Sequence, residues 1–300
     1  MSINSWLRSN TSSLKGKRVA ITGSTGGLGR EICNYLGMLG ADICLLDRNE
    51  ITSEQHKAHL ESKYPDIKVT RIRVDLEDVD SVRCAAEKLV EQEIDVFIHN
   101  AGAYSIPRRI CTSGYENVFQ INFVSPYYMI NQLLPMLRKR NGRVVAVGSI
   151  AHNYSKIDTC DVDFRKVKPS SKVYGNAKRY LMFSLYSLFE DKENVKLSIV
   201  HPGITLTNIT AHYPKLIYAI IKHPMKIIFM SPRKAALSII SGLFDDCEGR
   251  EWIGPRIFDV WGLPSKKVLK TCGPDEINTI DIISREIYSS LISTDLARKS

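Results

Sequence analysis

The sequence predicts an α/β fold built on one doubly wound parallel sheet with helices on both faces, and three observations predict it. Residues 19–29, Val-Ala-Ile-Thr-Gly-Ser-Thr-Gly-Gly-Leu-Gly, read as a short apolar strand, a tight turn and the start of a helix. A second apolar run, 41–46, ends in Asp47, 18 residues after Gly29. Beyond it, strand-like runs alternate with helix-length patterns in the manner of βαβ units, and no internal repeat or low-complexity stretch interrupts them.

The elements follow in order. Val19, Ala20 and Ile21 suit a buried strand, and Gly23, Gly26, Gly27 and Gly29 come at once after it. Glycines there allow a sharp turn and a close approach to a phosphate, while the next helix aims its free N–H groups and positive dipole end at the anion. The run ending in Asp47 is the second strand, and an acid about 20 residues past the glycines is suited to an adenosine ribose. Residues 67–74 read as the third strand, 78–93 as an amphipathic helix, and 95–99 as the fourth strand, ending in Asn100-Ala101-Gly102. A long helix over 113–140, a fifth strand over 143–149, a helix over 171–191 and a sixth strand over 195–200 closed by His201-Pro202-Gly203 complete the series. In such sheets ligands bind beyond the carboxyl ends of the strands, so the residues at those ends are candidates for chemistry.

A chain of 300 residues with 44% hydrophobic content buries one large core, which fits a single domain over 17–263, preceded by an extension over 1–16. That extension has no long apolar segment, so neither a signal peptide nor a spanning helix is expected. Seven scattered cysteines, none spaced as C-x-x-C, argue against a disulfide framework or a metal site and suggest a cytoplasmic protein. The net charge of +9 is spread along the chain, with Arg138-Lys139-Arg140 and lysines 266, 267 and 270 its densest spots, so no nucleic-acid partner is expected.

Tyr174 and Lys178 stand at i and i+4, one above the other on a helix. Together with Thr22-Gly23-x-x-x-Gly27-x-Gly29, Asp75, Asn100-Ala101-Gly102, Asn122, Ser149, Pro202-Gly203 and Thr207, in this order, they resemble the short-chain dehydrogenase/reductase family over about 17–262, a single-domain Rossmann fold. The Ser149 neighbourhood Val-Gly-Ser-Ile-Ala-His, the 24 residues between it and Tyr174, and 229–236 are most similar to the retinol-dehydrogenase-like branch. The resemblance implies Tyr174 as acid/base, Ser149 as donor to the substrate oxygen, Lys178 on the nicotinamide ribose and Asn122 in a water relay. It also implies that the cofactor lies along Gly23, Ser24, Thr25, Gly27, Leu28, Gly29, Asp47, Arg48, Asp75, Leu76, Asn100, Ala101, Gly102, Tyr174, Lys178, Pro202, Gly203 and Thr207.

Physical chemistry supports these roles. A free tyrosine titrates near ~10, too high to accept a proton at neutral pH, and a cation beside the phenolate favours its charged form. Pro126, four residues after Asn122, has no N–H for the Asn122 carbonyl, which is left to hold a water. Asp47 favours NAD(H) and repels a 2′-phosphate, while the adjacent Arg48 makes NADP(H) the alternative. His99 and His201 read as structural, and His152, three residues after Ser149, as a loop residue with the substrate pocket as its other placement.

Residues 205–230 carry Leu216, Ile217, Tyr218, Ile220, Ile221, Met225, Ile227, Ile228 and Phe229 with interleaved lysines, and read as a substrate lid able to touch a membrane surface. Residues 264–300 form a helical tail whose Ile277, Ile280, Ile283 and Ile287 cover the core or an interface such as that of a homodimer. The chain is thus expected to transfer hydride between NAD, or alternatively NADP, and a small apolar alcohol or carbonyl that is retinoid-, steroid- or lipid-like. A reductase of an activated double bond is the other enzyme reading, and a non-catalytic nucleotide-sensing scaffold the non-enzyme one.

Overall fold

A parallel strand covered by helices on both faces needs a nearly continuous apolar run. β1 (Arg18–Thr22), β2 (Asp42–Asp47), β4 (Val96–His99) and β5 (Arg143–Val147) meet that need; with β6 (Lys196–Val200), buried over its last three residues, and the half-covered edge strand β3 (Val69–Arg73), they pair in parallel. β7 (Glu251–Ile257) adds a seventh parallel strand and β8 (Trp261–Val268) an antiparallel edge, in the order β3-β2-β1-β4-β5-β6-β7-β8. The computed structural model describes residues 2–190, 194–204 and 230–299.

The sheet therefore has eight strands among the described residues, where the apolar runs predict six. Gly254 and Pro255 in β7, and Gly262 and Pro264 in β8, break the strand signal, and the register shifts just past the Pro255–Pro264 pair. The boundary expected at residue 263 falls inside β8.

Successive side chains of each strand point to opposite faces and so build two cores. Val19, Ile21, Ile98 and Val145 pack with α2 (Gly27–Met38) and α8 (Pro232–Phe244), joined by Trp6 and Leu7 of α1 (Ile3–Asn10) and Leu60 of α3 (Glu50–Lys63). Ala20, Phe97, Val144 and Ala146 pack with α4 (Val79–Glu91), α6 (Ser125–Lys139), α7 (Ser170–Phe189) and α9 (Pro274–Lys299). Ile280 and Ile287 of α9 are buried there, with Ile277 and Ile283 partly so, which docks the tail on α7 and α6.

The helix expected over 113–140 starts later and changes pitch. A single turn, α5 (Asn117–Phe119), runs into a π-helical turn Gln120–Val124 before α6, and the Ser125 N–H reaches back five residues to the Gln120 carbonyl. Pro126, which has no N–H, sits where the wider turn relaxes.

Strand order reverses between β1 and β4, so the crevice lies beyond the ends of these two strands. Thr207 and the lid, apart from Met230, lie outside the described residues; Ile204 and Met230, which bracket them, are hydrogen bonded at 3.0 Å. Among the described residues no helix is long and apolar enough to cross a membrane, and no three or more His, Cys, Asp or Glu are grouped to hold a metal. All seven cysteines are unpaired.

Candidate active site

The glycine turn is built by close approach. Gly23 has φ +69°, and a Cβ on Gly29 would lie 2.1 Å from the Gly23 carbonyl oxygen, so the turn folds back on the first turn of α2. Gly26 caps α2 without a side-chain bond, the first turn carries no acid, and a Cβ on Gly27 would meet nothing within 4 Å. Free helix N–H groups facing open space suit the pyrophosphate of a dinucleotide. Leu28 instead packs partly buried against the core beneath. The Thr22 hydroxyl accepts from the N–H groups of Asn100 and Ala101, both at 3.0 Å, and the Asn100 amide donates to the carbonyls of Thr22 and Gly23 at 3.0 and 3.1 Å. The ends of β1 and β4 are thereby joined, a role for Thr22 that the motif alone does not show.

Asp47, at the end of β2, is held by its own chain. It is 5% exposed, and its two oxygens accept four bonds: Ser24 Oγ at 2.5 Å, Ser53 Oγ at 3.0 Å, and the Thr25 N–H and Oγ1, both at 3.1 Å. A carboxylate has about four lone-pair sites, so this one is committed to its own chain and ties the glycine turn to the end of β2. Ser24, fully buried, gives its hydroxyl to the same tie, and His56 behind it is held near 4 by burial. Arg48 is exposed at the mouth, 3.7 Å from Glu77, whose other oxygen accepts from Arg109 at 2.6 Å. Asp75 accepts from the Glu77 N–H at 3.1 Å, and Leu76 is buried in the core with its carbonyl on Ser125 Oγ at 2.6 Å.

α7 carries Tyr174 and Lys178 to the end of β5. Gly175 makes this approach feasible, since a Cβ there would lie 2.4 Å from the Ala151 carbonyl oxygen of the 3₁₀ turn Ile150–Tyr154. Ser149 caps that turn, its Oγ accepting from the Ala151 N–H at 3.2 Å, and its hydroxyl lies beside the Tyr174 phenol, whose ionised form it favours. Burial pushes the phenol up to about 12, against the lowering effect of Ser149. Lys178 is 2% exposed; burial brings its ammonium down to about 7, and Nζ donates to the Val147 carbonyl at 2.9 Å while standing 5.7 Å from the Tyr174 ring centre.

Asn122 reaches the same point from the π-helical turn. Its amide nitrogen donates to the Ala103 and Val118 carbonyls, both at 2.8 Å, and its oxygen accepts from the Ala103 N–H at 3.3 Å. A Cβ on Gly102 would stand 2.8 Å from Asn122 Oδ1 and 3.8 Å from Lys178 Nζ, so Gly102 is where the two meet. Tyr104, which sequence reasoning misses, sets its ring edge-on to Tyr174 with centres 5.4 Å apart.

His99, His152 and His201 are buried. His99 is fully buried on Thr22, held well below its usual range by burial and then by Lys178. His201 stacks on Trp252 at 5.2 Å and is lowered to about 3 by burial. His152 lies in the 3₁₀ turn rather than in an irregular loop, buried between the Ser149 carbonyl and Thr271. After His201, Pro202 leads into Gly203 at φ +80°, where a Cβ would lie 2.8 Å from the Val260 carbonyl oxygen.

A family model described as short chain dehydrogenase matches residues 17–215. The chain is 29% identical over 209 residues to the Brassica napus protein "Short-chain dehydrogenase TIC 32 A, chloroplastic", a match covering 64% of this chain and 65% of that one. It is 26% identical over 278 residues to human retinol dehydrogenase 14, covering 82% of both. A crystal structure of a putative uncharacterized protein from Mycobacterium paratuberculosis superposes with a TM-score of 0.76 at 22% identity, over 94% of this chain and 96% of that one, and shares the fold.

Proposed function

Because this chain belongs to the short-chain dehydrogenase family, whose members are NAD(P)-dependent oxidoreductases acting on CH–OH and C=O groups, we propose that it interconverts an apolar alcohol with its ketone or aldehyde. The observation that carries the reading is the convergence of the Tyr174 phenol on the Ser149 hydroxyl, with the Lys178 ammonium beneath the ring.

When bound, the nicotinamide supplies or accepts the hydride. In the reducing direction Tyr174 gives its proton to the substrate oxygen, and Ser149 hydrogen-bonds that oxygen as charge develops on it. Burial lowers the Lys178 ammonium to about 7, so it is charged in only part of the molecules at neutral pH, and in its charged form its place 5.7 Å from the ring favours the phenolate that Tyr174 leaves behind. Asn122 fixes the 102–103 backbone around Lys178, and its own carbonyl, to which Pro126 four residues on has no N–H to give, is suited to a relay water.

The apolar substrate class rests on the surroundings of Tyr174, which packs with Val118, Phe164 and Val173 and against Tyr104, and on the likeness to human retinol dehydrogenase 14. For the cofactor, a carboxylate already carrying four donors does not serve a ribose, so we infer that NAD(H) and NADP(H) are both accepted, with Arg48 beside a 2′-phosphate. A panel of decanal, all-trans-retinal and a ketosteroid against glyceraldehyde, followed by NADH or NADPH absorbance, tests the substrate class. The apolar carbonyls should give the higher kcat/KM, since each buried CH₂ contributes ~0.8 kcal/mol; a preference for glyceraldehyde would refute it.

A further inference from the structure

Arg179 follows Lys178 on α7 and is an unusual residue to bury, with its side chain 4% exposed. Its Nε and Nη2 form a two-pronged pair with the Oε1 and Oε2 oxygens of Glu276, both at 2.6 Å, across 97 residues of sequence. The remaining bonds go to backbone: Nη1 to the His152 carbonyl at 3.0 Å and Nη2 to the Thr271 carbonyl at 2.7 Å. A guanidinium with four such bonds has one orientation, and it is set by the first turn of α9.

His152 carries that orientation back to Ser149. Its Nδ1 lies 2.6 Å from the Ser149 carbonyl oxygen, which only accepts, so Nδ1 holds the proton. Nε2 then accepts from the Thr271 hydroxyl at 2.9 Å, in keeping with an imidazole that burial keeps neutral. The backbone N–H of His152 adds a second bond to the Ser149 carbonyl at 3.2 Å. α7 thus grips one short segment at three successive points: Lys178 on the Val147 carbonyl, Tyr174 on the Ser149 hydroxyl and Arg179 on the His152 carbonyl. A single 3₁₀ turn has weak internal bonds of its own, so its placement comes from these outside anchors.

We propose that Arg179, Glu276, Thr271 and His152 are positioning residues for the Ser149 hydroxyl, which makes the start of α9 a working part of the site. The proposal rests on the reading of Ser149 and Tyr174 given above. It separates from a purely structural role because a buried ion pair replaced by apolar groups of similar volume is often neutral or stabilising, whereas a catalytic group misplaced by about 1 Å loses about 100-fold in rate.

The test is the pair variant Arg179→Met/Glu276→Leu beside Glu276→Gln, assayed with the panel carbonyl that turns over fastest. The pair variant should keep its melting temperature near wild type and its NADH dissociation constant within about threefold, yet lose kcat by about tenfold or more. Glu276→Gln, which keeps an acceptor for Arg179, should hold kcat within about threefold. A folded pair variant with wild-type kcat overturns the proposal. If the pair variant does not fold, Thr271→Val, which removes only the hydroxyl on His152, decides it: a fall in kcat of about twofold or more at unchanged cofactor affinity supports the proposal, and wild-type kcat overturns it. Ser149→Ala and Tyr174→Phe run alongside. Their retaining turnover, or wild-type protein turning over no carbonyl, overturns the reading of the site itself; their losing turnover while the pair variant keeps it overturns only the positioning.

Discussion

Asp47 illustrates how spacing fixes a residue's place without showing its partners. Its spacing after the glycines puts it at the end of β2, but whether its oxygens face a ribose depends on what else reaches them, and Ser24, Thr25 and Ser53 do. Ser53 stands outside the glycine motif, on α3, so no short pattern announces the tie. The discriminating charge at the mouth is then Arg48, 64% exposed with a long 3.7 Å contact to Glu77. Arg48→Ala should weaken NADPH binding about tenfold while leaving NADH within about twofold, since a charge-assisted bond to phosphate contributes roughly 1.5–3 kcal/mol. Fluorescence titration with both cofactors checks it; equal effects on the two, or wild-type preference for NADH by about 100-fold, would return the choice to Asp47.

Among the elements, the strand–turn–helix over 18–38 was fully legible, because close packing leaves few residue choices and glycine marks each of them. Gly29 and Gly27 test this in opposite ways. Gly29→Ala puts a carbon 2.1 Å from backbone, and overpacking of that kind costs about 1–3 kcal/mol, so both melting temperature and cofactor affinity should fall. Gly27→Ala meets nothing within 4 Å and replaces a poor helix former, so stability should hold or rise while cofactor affinity drops about tenfold. Thermal melts beside NADH titration separate the two; an unaffected affinity in Gly27→Ala would mean that no phosphate approaches there. The hairpin β7–β8 and the π-helical turn were not legible. The first hides behind Gly254, Pro255, Gly262 and Pro264, and the second needs a backbone pitch that Pro126 only hints at.

Taken as one body, the molecule is a sheet with two apolar faces, each closed by helices drawn from distant parts of the chain. The site lies beyond the ends of β1, β4, β5 and β6, where Asn122, Ser149, Tyr174 and Lys178 gather. The order of those residues was readable because each has a landmark in the sequence: Asn122 stands four before Pro126, Ser149 follows the apolar run of β5, and Tyr174 and Lys178 are one helical turn apart. Their support from Arg179, Thr271 and Glu276 was not, because buried pairs between remote segments leave no periodic trace. The account stands on hydride moving to or from the carbon that bears the substrate oxygen, with Tyr174 supplying the proton. The most direct measurement uses reduced cofactor deuterated at the C4 position of its nicotinamide, with the carbonyl of the panel that reacts fastest and the product examined by mass spectrometry and NMR. Deuterium should appear on the carbinol carbon of a product alcohol, and Tyr174→Phe should lower that transfer by about 100-fold or more with cofactor affinity within a few-fold. Deuterium on the β-carbon of a saturated product whose carbonyl group is intact, no transfer by protein that binds the cofactor, or undiminished transfer by Tyr174→Phe would contradict it.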